Sequence, residues 1–151
     1  MLRSIICGVV AFAGLSVLAG ESKEWGTDYE AALRKAKEEN KHVLLDFSGS
    51  DWCGWCIKLD EEVFSKKPFK DYAATDLVLV LVDFPRGKKQ SDELKKQNEK
   101  LAEKYRIRGF PTVILLDSEG KLVGRTGYQQ GGPEKYVKHL QELVGKGKKK
   151  D

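Results

Sequence analysis

Two cysteines separated by two residues are the part of this chain whose spacing allows chemistry. Cys53 and Cys56 enclose Gly54-Trp55 and come shortly after the apolar run from Val43 to Phe47. If a helix begins at Cys53, both thiols lie on one face of its first turn, close enough to form a disulfide or to be opened as a dithiol. Such a pair can carry two electrons.

Residues 1–20 have the composition of a secretory signal peptide. A cation near the start, Arg3, is followed by an apolar stretch from Ile5 to Ala19 and then by a polar run. Small residues at the end of the stretch predict cleavage after Ala19 or Gly20, so we expect a periplasmic or secreted protein. The alternative is an uncleaved membrane anchor, for which this apolar stretch is short.

The number of cysteines changes if the signal peptide is removed. The chain has three cysteines, and cleavage removes Cys7 and leaves Cys53 and Cys56. An exported domain that depends on disulfides for stability usually carries four or more cysteines along its length. A bridge across so short a loop also removes little entropy from the unfolded chain. The pair is therefore expected to exchange disulfides and not to stabilise the fold.

Other classes of site and partner receive little support from the sequence. Structural zinc typically needs four ligands, and the only histidines, His42 and His139, fall at a strand start and on a distant helix. No metal site is predicted, and since no flavin or nicotinamide motif is present, no cofactor is expected. The net charge is +4, or +3 without Arg3, and the basic residues form no stripe with aromatics, so no nucleic-acid partner is expected.

The mature chain of about 131 residues, with 40% hydrophobic residues in the full sequence, is long enough for one domain with a buried core. Apolar positions at helical spacing predict helices over Thr27–Asn40, Cys53–Ser65, Ser91–Tyr105 and from Pro133 onward. Short apolar runs predict strands over His42–Phe47 and Leu77–Asp83, and a hairpin over Thr112–Leu116 and Leu122–Thr126.

The predicted order, αβαβαββα, indicates an α/β domain over residues 21–145. We expect a central mixed sheet of about four strands with helices on both faces. A right-handed β-α-β unit then places Cys53 at the carboxyl end of the first strand, an edge where ligand and catalytic sites are common. Residues 146–151 are predicted to be a disordered basic tail.

Two motifs in this chain, in this order, resemble the thioredoxin superfamily. Asp46-Phe47 precede Trp52-Cys53-Gly54-Trp55-Cys56, and Gly109-Phe110-Pro111-Thr112 follow. The resemblance covers about residues 25–144 and is closest to bacterial exported thioredoxin-like proteins. It implies a thioredoxin-like fold and a thiol:disulfide oxidoreductase that acts on proteins.

Each cysteine has an expected role. Cys53, at a helix N-terminus with free backbone N–H groups, has its thiolate favoured and is expected to attack. Cys56 lies one turn deeper and is expected to resolve the mixed disulfide, which agrees with the roles in the family. Asp46 is a carboxyl in an apolar strand, where burial raises its pKa. The resemblance implies that it relays a proton to Cys56, and the alternative is a strand-end carboxylate that caps backbone amides.

The second motif and the tryptophans are expected to bind substrate. Pro111 resembles the superfamily's cis proline, and Phe110 before it would pair its backbone with a client strand. Without the resemblance, Gly109-Phe110-Pro111 would only be a turn. Trp52 and Trp55 can form an apolar platform for clients, although Trp52 can equally pack against the helix start. Trp55 cannot donate a charge-assisted hydrogen bond to a thiolate, which argues against a strong oxidant.

The sequence thus predicts an exported thiol:disulfide oxidoreductase with protein substrates, as a reductase or isomerase in preference to a primary oxidant. The alternative is a non-catalytic module that binds clients as a chaperone does. A separate protein that donates or accepts electrons is expected, and the chain is expected to be a monomer. The basic segment from Phe84 to Gln97, longer than its thioredoxin counterpart, is either a docking surface or a solvated loop and helix face.

Overall fold

A five-stranded mixed sheet organises the chain, of which the computed structural model describes residues 24–147. The strands are β1 (Trp25–Gly26), β2 (His42–Ser48), β3 (Leu77–Asp83), β4 (Thr112–Leu116) and β5 (Leu122–Thr126). Their spatial order is β1-β3-β2-β4-β5, with β1, β3 and β2 parallel and β4 antiparallel to both of its neighbours. The predicted mixed sheet is confirmed, and β1 adds a two-residue strand to the four expected. The predicted signal peptide, residues 1–20, and residues 148–151 of the predicted tail lie outside the described residues. The first two residues of that tail, Lys146 and Gly147, are helical and end the last helix.

Five α-helices within residues 24–147 cover the sheet: α1 (Tyr29–Glu39), α2 (Gly54–Leu59), α3 (Lys67–Asp76), α4 (Asp92–Lys104) and α5 (Gly132–Gly147). Side-chain caps explain two of the starts, because Asp28 accepts a hydrogen bond from the Ala31 amide and Ser91 accepts one from the Leu94 amide. The single helix expected over Cys53–Ser65 is α2 followed by a π-helical turn, Asp60–Phe64. Short π segments of this kind are frequent near functional sites.

Helix α3 was not predicted from the sequence, although its signals can be read there. Pro68 lies in its first turn, where a missing amide costs no helical hydrogen bond. Phe69 and Ala73, four residues apart, are buried on one face. Because the pattern is short and flanked by lysines, the sequence does not distinguish this helix from an irregular connection between the second helix and the second strand.

Alternate residues of β2 pack into two separate cores. Val43, Leu45 and Phe47 face α1 and α4, whereas Leu44 faces α2, α3 and α5. Because side chains alternate along a strand, Asp46 shares the face of Leu44 and points toward the cysteine-bearing helix. The helices lie on both faces of the sheet, as predicted. The Asp46 carboxyl and the cysteine-bearing helix lie on the same face.

The carboxyl ends of β2 and β3 meet where the chain turns into α2. The Phe84 amide donates to the Ser48 carbonyl at 2.8 Å, and the Ser50 amide donates to Asp83 Oδ1 at 2.9 Å. These bonds join the loop before Cys53 to the end of the neighbouring strand. Across residues 24–147, no helix is long and apolar enough to cross a membrane.

Candidate active site

Cys53 and Cys56 form a disulfide at the start of α2. Their Cα atoms are 5.2 Å apart, and Cys53 is the N-cap residue, whose Sγ accepts a hydrogen bond from the Cys56 amide at 3.2 Å. The two residues differ little in exposure, 7% for Cys53 and 4% for Cys56. Position therefore distinguishes them more than burial, since Cys53 precedes the first turn of the helix and Cys56 lies within it.

A tight turn delivers the chain to Cys53. The Gly49 carbonyl accepts hydrogen bonds from the amides of Trp52, at 3.1 Å, and Cys53, at 2.8 Å. A Cβ atom at Gly49 would overlap the Trp52 indole, so glycine leaves the space that the ring occupies. The turn and the ring position depend on each other.

Asp46 is buried beneath this helix with an unsatisfied oxygen. Only 6% of the residue is exposed, and among the described residues Oδ1 has no hydrogen-bond partner. Burial raises the pKa of Asp46 to about 7, and the negative charges of Asp60 and Asp83 act in the same direction. No backbone amide in residues 24–147 donates to this carboxyl, so the alternative role as a capping carboxylate has no support in the geometry.

A cavity of about 340 Å³ separates Asp46 from the cysteine helix. Its walls include Asp46, Cys56, Asp60 and Glu61, and the space is large enough for several water molecules. Leu81, which is paired with Asp46 on β3, also lines it. The strand neighbour of this acid is therefore apolar.

The loop before β4 faces the same site. The Phe110–Pro111 peptide bond is cis, as the resemblance implied. The Phe110 ring meets the Trp52 ring edge-on, with centroids 5.9 Å apart, and also contacts Phe84 at 5.3 Å. Phe110 and Pro111 thus lie beside the residue that precedes Cys53.

The two tryptophans have different surroundings. Trp52 is half-buried, its Nε1 donates to the Phe84 carbonyl at 2.8 Å, and the Arg86 guanidinium lies 3.8 Å from its ring centroid. Packing contacts, the alternative considered for Trp52, therefore account for most of its surface. Trp55 is 58% exposed and leans on Tyr128, with Lys58 Nζ 5.1 Å from its ring centroid. Its indole offers the larger apolar surface next to the disulfide.

Several residues around the site were not singled out from the sequence. The Asp83 carboxylate accepts from the Ser50 amide and, at 2.5 Å, from the Ser50 hydroxyl. Asp51 accepts from the Arg86 amide at 3.0 Å and the Gly87 amide at 2.6 Å. These contacts attach the segment after β3 to the loop before Cys53. They join residues more than thirty positions apart, and no local pattern reports such pairs.

The two histidines lie away from the cysteines. His139 Nε2 is 2.8 Å from Thr126 Oγ1, and its ring contacts Tyr136. His42 begins β2, at the opposite end of the strand from Ser48. Within the described part of the chain, no group of three or more histidine, cysteine, aspartate or glutamate side chains converges to hold a metal ion.

Comparison with known proteins places this geometry in a family context. The family model described as "Thioredoxin-like domain" matches residues 29–143. Disulfide bond reductase DsbH of Chlamydia pneumoniae is 36% identical over 127 residues, which are 84% of this chain and 76% of that protein. Thioredoxin-related protein DsbJ of the same species is 36% identical over 107 residues, 71% of this chain and 31% of that protein. A solved structure titled DsbH Oxidoreductase superposes with a TM-score of 0.76 at 36% identity, covering 80% of this chain and 83% of that one.

Proposed function

The chain belongs to the thioredoxin superfamily and is a protein-disulfide oxidoreductase, and we propose that it works outside the cytoplasm as a reductase or isomerase of client proteins. The observation that carries the proposal is the Cys53–Cys56 disulfide at a helix start, beside a cis proline loop. The name of the similar chlamydial protein, a disulfide bond reductase, supports the reducing direction.

In the reducing direction, the Cys53 thiolate attacks one sulfur of a client disulfide. The client S–S bond breaks, a Cys53–client mixed disulfide forms, and the other client sulfur leaves as a thiolate. The Cys56 thiolate then attacks the Cys53 sulfur, and the second client sulfur leaves as a thiolate. The client gains two electrons, and the chain is left with its Cys53–Cys56 disulfide.

Asp46 is proposed to take the proton that Cys56 loses before it attacks. The cavity lined by both residues supplies a path, through water, between the thiol and the carboxyl. A pKa of about 7 suits the exchange, because the carboxyl is partly ionised near neutral pH and can both accept and return a proton. Cys53 is proposed to supply the attacking sulfur, and the Phe110 backbone is proposed to pair with the client.

The disulfide must be reopened before another reduction, and this requires two electrons from a separate protein. As an isomerase, the chain would not need these electrons: another thiolate of the client would attack the client sulfur of the mixed disulfide, form a rearranged client disulfide and release the Cys53 thiolate without net electron transfer. The proposed location, periplasmic or secreted, is supported by the composition of residues 1–20. Substrate proteins are expected to contact Trp52, Trp55, Phe110 and Pro111.

Cysteine variants test the catalytic proposal against a non-catalytic client-binding module, which the exposed Trp55 would also suit. With dithiothreitol as the electron source, Cys53→Ser is expected to abolish reduction of a protein with one disulfide. Cys56→Ser, reduced beforehand and then freed of dithiothreitol, is expected to accumulate a mixed disulfide with that protein, detected by mass. If both variants retain full activity in the cell, the client-binding module is the correct interpretation.

The direction of electron flow is tested by titrating the Cys53–Cys56 pair against glutathione. A reduction potential near that of thioredoxin, about −270 mV, is expected for a reductase. A potential tens of millivolts above the glutathione poise would favour oxidation or isomerisation instead.

A further inference from the structure

We propose that Arg86 selects client segments that carry a carboxylate close to the reactive cysteine. The proposal rests on the function proposed above and adds to it the chemistry of the preferred client. Arg86 belongs to the segment after β3. Its backbone amide donates a hydrogen bond to Asp51 and its guanidinium lies on the Trp52 ring, so the side chain is held beside the site.

The backbone of Arg86 is fixed by Asp51. The Asp51 carboxylate accepts hydrogen bonds from the amides of Arg86 and Gly87. These two bonds lower the pKa of Asp51, so the carboxylate stays ionised at neutral pH and the attachment persists. The segment therefore presents Arg86 at a defined place next to the active-site loop.

The side chain of Arg86 is oriented by Trp52. The guanidinium lies 3.8 Å from the ring centroid, and the ring itself is held by the Phe84 carbonyl and by Phe110. A guanidinium stacked on a ring keeps its N–H groups at the rim, where they can bind a carboxylate through two parallel hydrogen bonds.

Arg86 has no acidic partner of its own. Among residues 24–147, no carboxylate lies within ion-pair distance of its guanidinium, whereas Lys58, on the Trp55 side of the site, is 3.7 Å from Glu62. Lys88 donates to the Ser50 hydroxyl at 3.3 Å. The cation beside Trp52 is therefore oriented but not neutralised, which favours an anionic group from outside.

The position of Arg86 defines where that group sits on a client. Trp52 directly precedes Cys53, and its ring touches Phe110, whose backbone is proposed to pair with the client. When a client sulfur lies at Cys53 and the residues beside it pair with the Phe110 backbone, the client chain passes the Trp52 end of the site. An aspartate or glutamate within a few residues of the client cysteine then reaches Arg86.

Paired disulfide peptides test this selection. The two peptides are identical except for Glu or Gln two residues from the cysteine, and the measurement is kcat/KM for their reduction with dithiothreitol as electron source. At low ionic strength the chain is expected to prefer the Glu peptide by about threefold to fivefold, the size of a favourable partly exposed ion pair. The preference should shrink at about 1 M salt, where charges are screened within a few ångströms.

Variants of the basic segment identify the residue responsible. R86Q is expected to bring the ratio of kcat/KM values close to one, R86K to keep a preference for Glu, and R86E to favour a matching Lys peptide. K89Q, which removes a neighbouring exposed cation with no contact to Trp52, is expected to keep the full preference. The proposal is overturned if the unmodified chain shows no preference, if R86Q keeps it, or if K89Q loses it as R86Q does. If both peptides are still reduced in those cases, the oxidoreductase function remains supported although the selection by Arg86 is not. Unimpaired reduction by Cys53→Ser would instead contradict the oxidoreductase function.

Discussion

Asp46 illustrates what a single residue reveals in a sequence. A carboxyl within the apolar run Val43–Phe47 predicts a raised pKa, and the structure gives the physical cause, which is burial of the carboxyl reinforced by the negative charges of Asp60 and Asp83. The proximity of Asp60 and Asp83 to this carboxyl could not be predicted from the sequence. They come from other elements, and only the fold brings their charges close.

Replacing Asp46 with asparagine should stabilise the disulfide form of the chain above neutral pH. The pKa of the carboxyl is about 7 when folded and near its ordinary 3.8 when unfolded, so in this interval the unfolded chain loses its proton first. The free energy of unfolding therefore falls as pH rises from about 4 to 7. Chemical denaturation should show Asp46→Asn more stable than the parent by up to about 4 kcal/mol at pH 8 and nearly equal at pH 4.

A surface carboxylate provides the control for that measurement. Asp71→Asn removes an exposed group on α3 that pairs with Lys67, and its effect should stay within about 0.5 kcal/mol at both pH values. An Asp46→Asn variant that is no more stable than the parent at pH 8 would contradict the burial of an ionisable group with a raised pKa.

At the scale of elements, the strands, the cysteine helix and the terminal hairpin follow from apolar periodicity and turn residues. What periodicity does not report is how α2 ends or what surrounds its start. The Ser65 amide donates to the Asp60 carbonyl, five residues back, and this closes the π turn that begins at Asp60, a residue that lines the cavity. Strand β1 was missed because two residues carry no pattern.

The turn before α2 predicts a specific cost for a larger residue at Gly49. Gly49→Ala should lower the free energy of unfolding by about 1–3 kcal/mol, because its Cβ overlaps the Trp52 indole and the ring must move. Near-ultraviolet circular dichroism should report the displaced ring. Gly145→Ala is the matched control, since a Cβ there meets nothing within 4 Å inside α5 and alanine favours the helix. Equal stability changes in the two variants would show that Trp52 does not depend on Gly49.

The attachment of the basic segment to the active-site loop can be tested through backbone dynamics. Asp51→Ala removes the acceptor of the Arg86 and Gly87 amides, so their hydrogen exchange should accelerate by about tenfold, while the amides of β3 stay protected. Asp71→Ala, remote from this segment, should leave those rates unchanged. Unaltered exchange in Asp51→Ala would mean that the segment is held by other contacts.

For the whole molecule, the proposed export gives a prediction about covalent mass. When the full chain is produced in a bacterium with a secretion system, the protein recovered outside the cytoplasm should begin at Gly20 or Glu21, because small residues precede the expected cut. Intact mass and N-terminal sequencing measure this. A variant with both Ala19→Arg and Gly20→Arg, which removes the small residue before either cut, should retain the full mass. A parent chain that also retains it would support the uncleaved anchor.

The edge strand β1 affects whether the protein aggregates with its clients. A protein that handles partly folded polypeptides meets exposed strands, and an open sheet edge can template their aggregation. Here β1, at one edge of the sheet, is only two residues long, and so short an edge strand disfavours the addition of a client strand there.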